Sequence, residues 1–568
     1  MYGKKKFLES LYLGALFPNI IAILGGTINV FVDGILVGQK LGDVGIAAIN
    51  QSLAVYLLLC TLGSLIGAGA AARSSIALGK HRQEECDQYF SLAIELAVVT
   101  AVVFCGTGFV MSPLLARLLG SPDSAALVET YIRITFLGGV FKIFLYIPFN
   151  YLRLMGKTVH SAVAMLMMTV INIVLDALFL FYFNLGVAGA AWASNLATMA
   201  ACIFGARYIL GKEAGIKFSP VFPQKEKLIN IIHSGSPMAA NNLFSALRII
   251  ILNQIMNQVG GSAMVAIFAI TNNVNEFSLC IQNGVPQAGS CMLGICYGEK
   301  DRKSMERLMK LQMKTGIILS LGFSLLTALG AKQIGYLFGT ELSVNFPLLS
   351  WALSLCFGTI NNIMVYYYYA VMKAFMANMI TFLRVLGITA AAAALLTPFG
   401  EMLWMFYPVS EICTLILWIL MAALLTRKQG TGFNVYLWDD FEIEENQCSN
   451  FQVECKVEKI CEKSWQVTKF CEENDFSPEQ TMTISLALEE LMIIMAEKSM
   501  DNQGFLDVRI LRTKEGGIIR IRSKGRHFNP LEFAANDMDY LGVSIIMQMA
   551  KNTIYQTTLG LNTLVVEI

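Results

Sequence analysis

Charge is scarce in this chain of 568 residues: Asp, Glu, Lys and Arg together make up 15%, against about 25% in an ordinary soluble domain. That shortfall leaves too few ionised side chains to clothe a water-facing surface throughout. Histidine is scarcer still at 4, and none of the 13 cysteines stands in a C-x-x-C pair. The usual ligand spacing of a structural zinc site is therefore missing. Cys60, Cys105, Cys202, Cys356 and Cys413 lie inside apolar runs, where a thiol reads as a small, reduced, apolar side chain rather than part of a disulfide framework. The opening Met-Tyr-Gly-Lys-Lys-Lys lacks a cleavable signal pattern, and its apolar run continues to full span length. The first helix is expected to act as its own targeting signal.

What the chain has instead is apolar length, with 55% hydrophobic residues. About 20 apolar residues cross about 30 Å of hydrocarbon as a helix, the economical choice where lipid offers backbone groups no partners. Twelve segments qualify: 10–38, 44–79, 88–119, 126–153, 158–183, 187–210, 228–258, 263–298, 303–338, 342–374, 377–399 and 403–426. Residues 1–434 hold 29 Lys+Arg against 19 Asp+Glu, and residues 435–568 hold 13 against 22. The chain thus reads as a basic membrane part, suited to an anionic cytoplasmic leaflet, joined to an acidic tail. Its basic residues sit in short loops between apolar runs, which excludes a nucleic-acid partner.

Alternate connections are basic, among them Lys4-Lys5-Lys6, Lys80-His81-Arg82, Arg153 with Lys157, Lys212 to Lys227, Lys300 to Lys310, Lys373 and Arg427-Lys428. The others are short and poor in cations. By the positive-inside rule both termini face the cytoplasm, which requires an even number of spans. Gly42-Asp43-Val44-Gly45-Ile46-Ala47-Ala48 resembles Gly261-Ser262-Ala263-Met264-Val265-Ala266-Ile267, and Ala77-Leu78-Gly79-Lys80 resembles Cys296-Tyr297-Gly298-Glu299, each at an offset of 219 residues. Two matches at one ungapped offset point to two parallel six-helix repeats. The expected organisation is an N-terminal lobe 1–211, a cytoplasmic linker 212–227, a C-terminal lobe 228–430, and a soluble α/β sandwich domain 431–568. In that tail, 451–457, 506–511, 517–523 and 564–568 alternate like strands, and 477–500 has helical periodicity after a proline-containing start.

Ionisable residues inside a span are costly and mark function by default. They are Asp33, Glu95, Lys142 and Asp176 in the first half, and Arg248, Glu276, Arg384 and Glu411 in the second. Asn172 and Asp176, four apart, share a helix face. A carboxylate and an amide oxygen there form a half-shell for a hard cation such as Na⁺. A desolvated carboxylate can take a proton instead. Polar glue between helices is the structural alternative, and spacing alone leaves these open. Lys142, near the middle of the fourth span, either pairs with Asp33, Asp176 or Glu95, or snorkels or faces a wet cleft. Most membrane aromatics and methionines are expected to pack against lipid or neighbouring helices, with some offering an adaptable surface to flat cations.

Pro18, Val32-Asp33-Gly34-Ile35-Leu36-Val37-Gly38, Leu41-Gly42 and Ala47-Ala48 resemble the opening of the multidrug and toxic compound extrusion (MATE) transporters. Arg153-Leu154-Met155-Gly156-Lys157, Asn172 to Asp176, Gly186 to Ala191, Gly298, Phe382-Leu383-Arg384 and Pro408-Val409-Ser410-Glu411 continue the resemblance over about residues 8–426. The resemblance implies an all-α, V-shaped, two-lobed membrane fold. It also implies export of organic cations or drugs across a bacterial plasma membrane, driven by inward Na⁺ or H⁺, without a bound cofactor. Carried over by position, the acidic site is Asp33, Asn172, Asp176 and Ser194, where Ser194 stands for a common Thr. Lys142 departs from the family pattern. Glu276 and Glu411 are candidates for an acid in the second lobe.

The tail resembles the ATP-binding domain of histidine kinases and anti-sigma-factor kinases. Ser485 to Leu491, Gly525 to Pro530, Leu541-Gly542-Val543 and Gly560 to Leu564 carry that likeness. The magnesium-binding Asn expected after Glu489-Glu490 is replaced by Ile494. Where such domains place D-x-G-x-G, this chain has Ser523-Lys524-Gly525-Arg526-His527. Without the metal ligand the phosphates lose their anchor, so neither kinase activity nor ATP binding is expected, and the tail reads as a regulatory or protein-docking module. Two alternatives stay open. One is a lipid-linked sugar flippase of related helical plan, which a broad cationic groove would favour. The other is a membrane-anchored sensor whose tail is the output.

Overall fold

In the computed structural model the described residues are 6–120, 124–211, 215–219, 224–337, 343–428, 433–437, 447–513, 516–534 and 541–568. The expected loop residues Lys4, Lys5 and Lys212 and the expected boundary at 430/431 lie outside them. The chain divides into a unit of Gly14–Arg153 with Thr158–Trp438, and a second unit of Met1–Leu13, Leu154–Lys157 and Asp439–Ile568.

The membrane unit is organised by two matching helices. Helix α1 runs Lys6–Gly79 and α8 runs Lys225–Gly298, each of 74 residues, so start and end both repeat at the offset of 219. An uninterrupted helix of that length would reach about 110 Å, far beyond a bilayer. Both break at the repeated glycine: Gly42 has φ 64° and ψ −161°, and Gly261 has φ 60° and ψ −148°. That backbone region is open to glycine and penalised for residues with a β-carbon, so glycine kinks each long helix at the repeated position, with Gly260 sharing the break in α8.

Between these lie α2 (Gln83–Leu119), α3 (Ala125–Leu137), α4 (Gly139–Phe144), α5 (Tyr146–Leu154), α6 (Thr158–Ala177) and α7 (Gly186–Ile209). After α8 come α9 (Arg302–Leu329), α10 (Ala331–Leu337), α11 (Asn345–Ala370), α12 (Ala374–Phe382), α13 (Ile388–Leu396) and α14 (Phe406–Lys428). The expected continuous span 126–153 is broken instead. Ala125–Leu137 and Gly139–Leu154 meet at 56°, and at the bend the carbonyl of Ile134 accepts from both Gly138 N at 3.2 Å and the Asn195 side-chain amide at 2.6 Å. A β-carbon on Gly138 would sit 2.0 Å from Asn195 Cγ, so glycine is what lets that amide in. Among the described residues, nine helices are long and apolar enough to cross a membrane, or ten with the bent pair counted as one span. The outer face of α2 leaves Val102 67% and Val110 77% exposed, a surface suited to lipid rather than water.

The tail is a five-stranded antiparallel sheet in the order β1-β2-β3-β5-β4. The strands are β1 (Cys448–Glu454), β2 (Phe505–Thr513), β3 (Gly516–Ser523), β4 (Asn552–Thr558) and β5 (Leu561–Glu567). Helices α15 (Val457–Glu473), α16 (Pro478–Ile494), α17 (Pro530–Ala534) and α18 (Leu541–Met549) accompany it. Ile460, Ile484, Leu488, Val508, Ile519 and Leu564 share one buried core. The start of α16 is fixed locally. Ser477 Oγ accepts from Gln480 N at 3.1 Å, Ser477 N donates to Gln480 Oε1 at 3.2 Å, and Pro478 opens the helix. This is a capping box with a pre-set first turn. The expected strand 451–457 ends at Glu454, and Val457 begins α15, an element the sequence reading missed along with β4. Helix α15 buries Ile460, Ser464, Val467 and Cys471. That spacing is helical, but two of the four are small polar or thiol residues that hide the stripe.

Candidate functional site

The acidic site is assembled by two spans running the same way. Thr169 on α6 donates its hydroxyl to Gly25 O on α1 at 3.1 Å. About two helical turns further along each, at 3.6 residues per turn, stand Asp176 and Asp33. Their carboxyl groups are within hydrogen-bond reach of each other. Asp176 is fully buried. Both of its oxygens, Asp33 Oδ1 and Asn29 Oδ1 are buried without a hydrogen-bond donor. Unpaired buried acceptors carry a desolvation cost, and four oxygens from three side chains make a donor set for a proton or a hard cation. Asn172, buried one turn before Asp176, lines the adjoining cavity. No group of three or more His, Cys, Asp or Glu among the described residues could hold a metal ion.

Ser194 is placed elsewhere. Its hydroxyl accepts from Lys142 Nζ at 3.3 Å, and Asn195 Oδ1 accepts from the same ammonium at 2.9 Å. The Tyr56 ring lies 5.4 Å from Lys142 Nζ. Lys142 is 4% exposed and pairs with none of Asp33, Asp176 or Glu95, the partners its position in the sequence left open. Asn195 is held by its bond to the Ile134 carbonyl, which also accepts from Gly138 N at 3.2 Å, and its side-chain oxygen accepts from Lys142. Glu95 lies half-buried on α2, outside the lining of this cavity.

The second half holds a denser network. Arg384, in the turn Leu383–Gly387 that widens the helix, pairs with Glu411 through Nε at 2.8 and 3.1 Å. Asn361 Nδ2 donates to Glu411 Oε2 at 2.8 Å, Asn362 Oδ1 accepts from Arg384 at 3.1 Å, and Gln282 Oε1 accepts from its other Nη. Trp418 Nε1 holds Asn361 Oδ1 at 2.9 Å. Glu411 is therefore committed to a guanidinium. Arg248 and Glu276 lie near enough for mutual attraction and line the same polar cavity of about 90 Å³. The sequence named the charged residues but not these amides, although the doublets Asn241-Asn242 and Asn361-Asn362 inside apolar runs were a signal.

A larger cavity of about 320 Å³ is lined from both halves of the repeat. Its polar wall includes the amides Asn19, Asn150, Asn172, Asn242, Asn283 and Gln287 beside serine and threonine hydroxyls. Its apolar wall includes Tyr146, Phe149, Met168, Met238, Tyr366 and Tyr369. Lys142 and Arg153 are its charged residues, and no carboxylate is among the lining residues described.

In the tail, the side chains around Ser523–His527 bond to one another. Ser499 Oγ meets Ser523 Oγ at 3.0 Å and donates to Arg526 O at 2.9 Å; Asn562 Nδ2 donates to Ser499 Oγ at 3.1 Å and Arg526 O at 2.7 Å. Burial pushes the Tyr555 phenol up to about 12, so it keeps its proton and donates to Asn562 Oδ1 at 2.9 Å. His527 packs edge-on against that ring at 5.3 Å. Ile494 is buried one turn after the half-buried Glu490. A β-carbon on Gly525 would lie 1.9 Å from Ser499 O, so packing accounts for this glycine. Gly542 stands in the first turn of α18.

A bundle of apolar helices with an internal repeat, a buried carboxylate pair and a central polar cavity defines a membrane transport protein. The MatE family model matches residues 18–178 and 237–402, more than half of the chain, and the chain belongs to the MatE family. It is 24% identical over 335 residues to the multidrug export protein MepA of Staphylococcus aureus (strain NCTC 8325 / PS 47), covering 58% of this chain and 73% of that one. It is 25% identical over 304 residues to MepA of Staphylococcus saprophyticus, covering 53% and 66%. Among solved structures, a MATE protein in complex with MaL6 matches with TM-score 0.71 at 20% identity, over 76% of this chain and 99% of that one. An outward-facing multidrug resistance MATE transporter matches with TM-score 0.70 at 20% identity, over 74% and 97%.

Proposed function

We propose that this chain is a secondary active multidrug exporter of the bacterial plasma membrane, coupled to inward Na⁺ or H⁺ at Asp33 and Asp176. The observation that carries this reading is the pair of buried carboxyl groups with unpartnered oxygens. Two carboxylates held together out of water resist joint ionisation, so the site takes up a proton or a cation and gives it up again as the surrounding spans move. Occupancy that favours one arrangement of the helices over the other shifts the population between them, and no ATP is consumed. Asn29 and Asn172 supply neutral oxygens beside the pair, whereas Ser194 belongs with Lys142. Counting two spans each for α1, α8 and Ala374–Lys428 gives twelve, and the basic loops put both termini in the cytoplasm. The tail is a degenerate ATPase-like module that regulates the transporter or docks a cytoplasmic protein. The bonding of Ser499, Ser523 and Asn562 into one network weighs against the sensor reading. One observation favours the flippase reading: the central cavity is cationic.

Binding of the coupling ion is measured directly on purified protein in detergent. Radioactive Na⁺ binding and proton release in weak buffer are compared between wild type and Asp176→Asn. Saturable uptake or release of one ion by wild type, lost in the variant, is expected. An unchanged variant would assign coupling elsewhere.

A further inference from the structure

We infer that the central cavity recognises an oxyanion, a carboxylate or phosphate group carried on an aromatic or apolar body, with Lys142 as its principal contact and Arg153 as a second. This rests on the transport reading above and names the substrate class of that same cavity.

Lys142 and Arg153 are 11 residues apart on the broken fourth span. Eleven residues are three helical turns, so they fall on one stripe about 16 Å apart. Each is nine-tenths or more buried, and both line the cavity. Each ends on neutral acceptors only. Lys142 reaches Ser194 Oγ and Asn195 Oδ1. Arg153 reaches Phe149 O at 2.9 Å, Asn150 Oδ1 at 3.2 Å and Asn19 Oδ1 at 3.5 Å. Neutral oxygens satisfy the N–H donors and leave the charge uncompensated, which is costly away from water. Neither Asp33 nor Asp176 is bonded to the ammonium, whose partners are Ser194 and Asn195.

The Lys142 site is also built. Gly138 leaves room for the Asn195 amide, that amide is anchored on the Ile134 carbonyl at the bend of the fourth span, and its oxygen accepts from Lys142. A lysine tolerated by chance would not need such support. The rest of the wall suits an organic body: Tyr146, Phe149, Tyr366 and Tyr369 for stacking, Met168 and Met238 for adaptable packing. A cation entering this cavity would meet two like charges and no carboxylate on its wall.

The test uses the full chain, purified in detergent, with two aromatic dyes read by fluorescence polarisation: 5-carboxyfluorescein as the oxyanion and ethidium as the cation. Wild type is expected to bind carboxyfluorescein and to bind ethidium more weakly. Lys142→Met is expected to weaken carboxyfluorescein about tenfold, the scale of one charged hydrogen bond. Lys142→Arg restores it to within about threefold of wild type, and Arg153→Gln weakens it to a smaller extent. Thermal unfolding of each variant separates lost recognition from lost folding. Displacement of the dye by p-nitrophenyl phosphate but not by phosphatidylglycerol identifies a soluble ligand; the reverse identifies a lipid headgroup. Wild type that binds ethidium in preference, or folded Lys142→Met that binds carboxyfluorescein as wild type does, would overturn the proposal. No gradient is imposed, so failure here leaves the coupling role of Asp33 and Asp176 standing, and failure of coupling leaves the dye result standing.

Discussion

Asp176 sits in an apolar run and its carboxylate finds no donor in the folded protein, whereas Glu411, in another apolar run, is held by an arginine and an asparagine. The two acids look alike in sequence, since each is a lone carboxylate among hydrophobic neighbours. Their partners come from spans far away in the chain, so the sequence marked them as candidates without showing which of them meet. It placed Ser194 with the acids and left the partner of Lys142 open, because that contact is made between spans distant in the chain. The difference in partners makes opposite predictions. Glu411→Gln leaves Arg384 buried without its counter-charge and should lower stability by about 3 kcal/mol, read as a fall in the detergent unfolding midpoint. Asp176→Asn removes one of two crowded acids and should leave that midpoint unchanged or raised. Asn195→Leu strips both the Ile134 carbonyl and Lys142 of a partner and should cost about 2 kcal/mol.

At the scale of elements, apolar length marked the membrane helices, of which nine or ten among the described residues are long and apolar enough to cross a bilayer. Apolar length did not reveal that α1 and α8 are continuous in hydrogen bonding up to a hinge, or that the fourth span bends. Those features depend on Gly42, Gly261 and Gly138, and glycine in an apolar run looks the same whether it packs, hinges or does neither. Gly261→Ala should destabilise by about 1 kcal/mol, the cost of a β-carbon at positive φ. Gly138→Ala, whose β-carbon would displace Asn195, should do worse and should also disturb Lys142, so carboxyfluorescein binding falls with it. In the tail, strands with clean alternation were legible, while α15 was lost because serine and cysteine fill half of its buried stripe.

For the whole molecule, composition separated a membrane part from an acidic tail, and the repeat offset of 219 reappears in the ends of two 74-residue helices. The charge of the central cavity was not legible, since its lining is drawn from helices of both halves. The tail makes its own prediction. With Ile494 in place of a metal ligand and Ser499, Ser523 and Asn562 bonded to one another, the purified full chain should show no magnesium-dependent ATP hydrolysis above background. The central claim is that buried Asp33 and Asp176 couple transport to an ion gradient. The most direct measurement reconstitutes the full chain in liposomes and follows a fluorescent substrate under an imposed Na⁺ or H⁺ gradient, for wild type, Asp33→Asn and Asp176→Asn. The account predicts gradient-driven movement by wild type under one of the two ions and none by either variant, with all three proteins equally folded. Gradient-driven movement that survives both substitutions would contradict it.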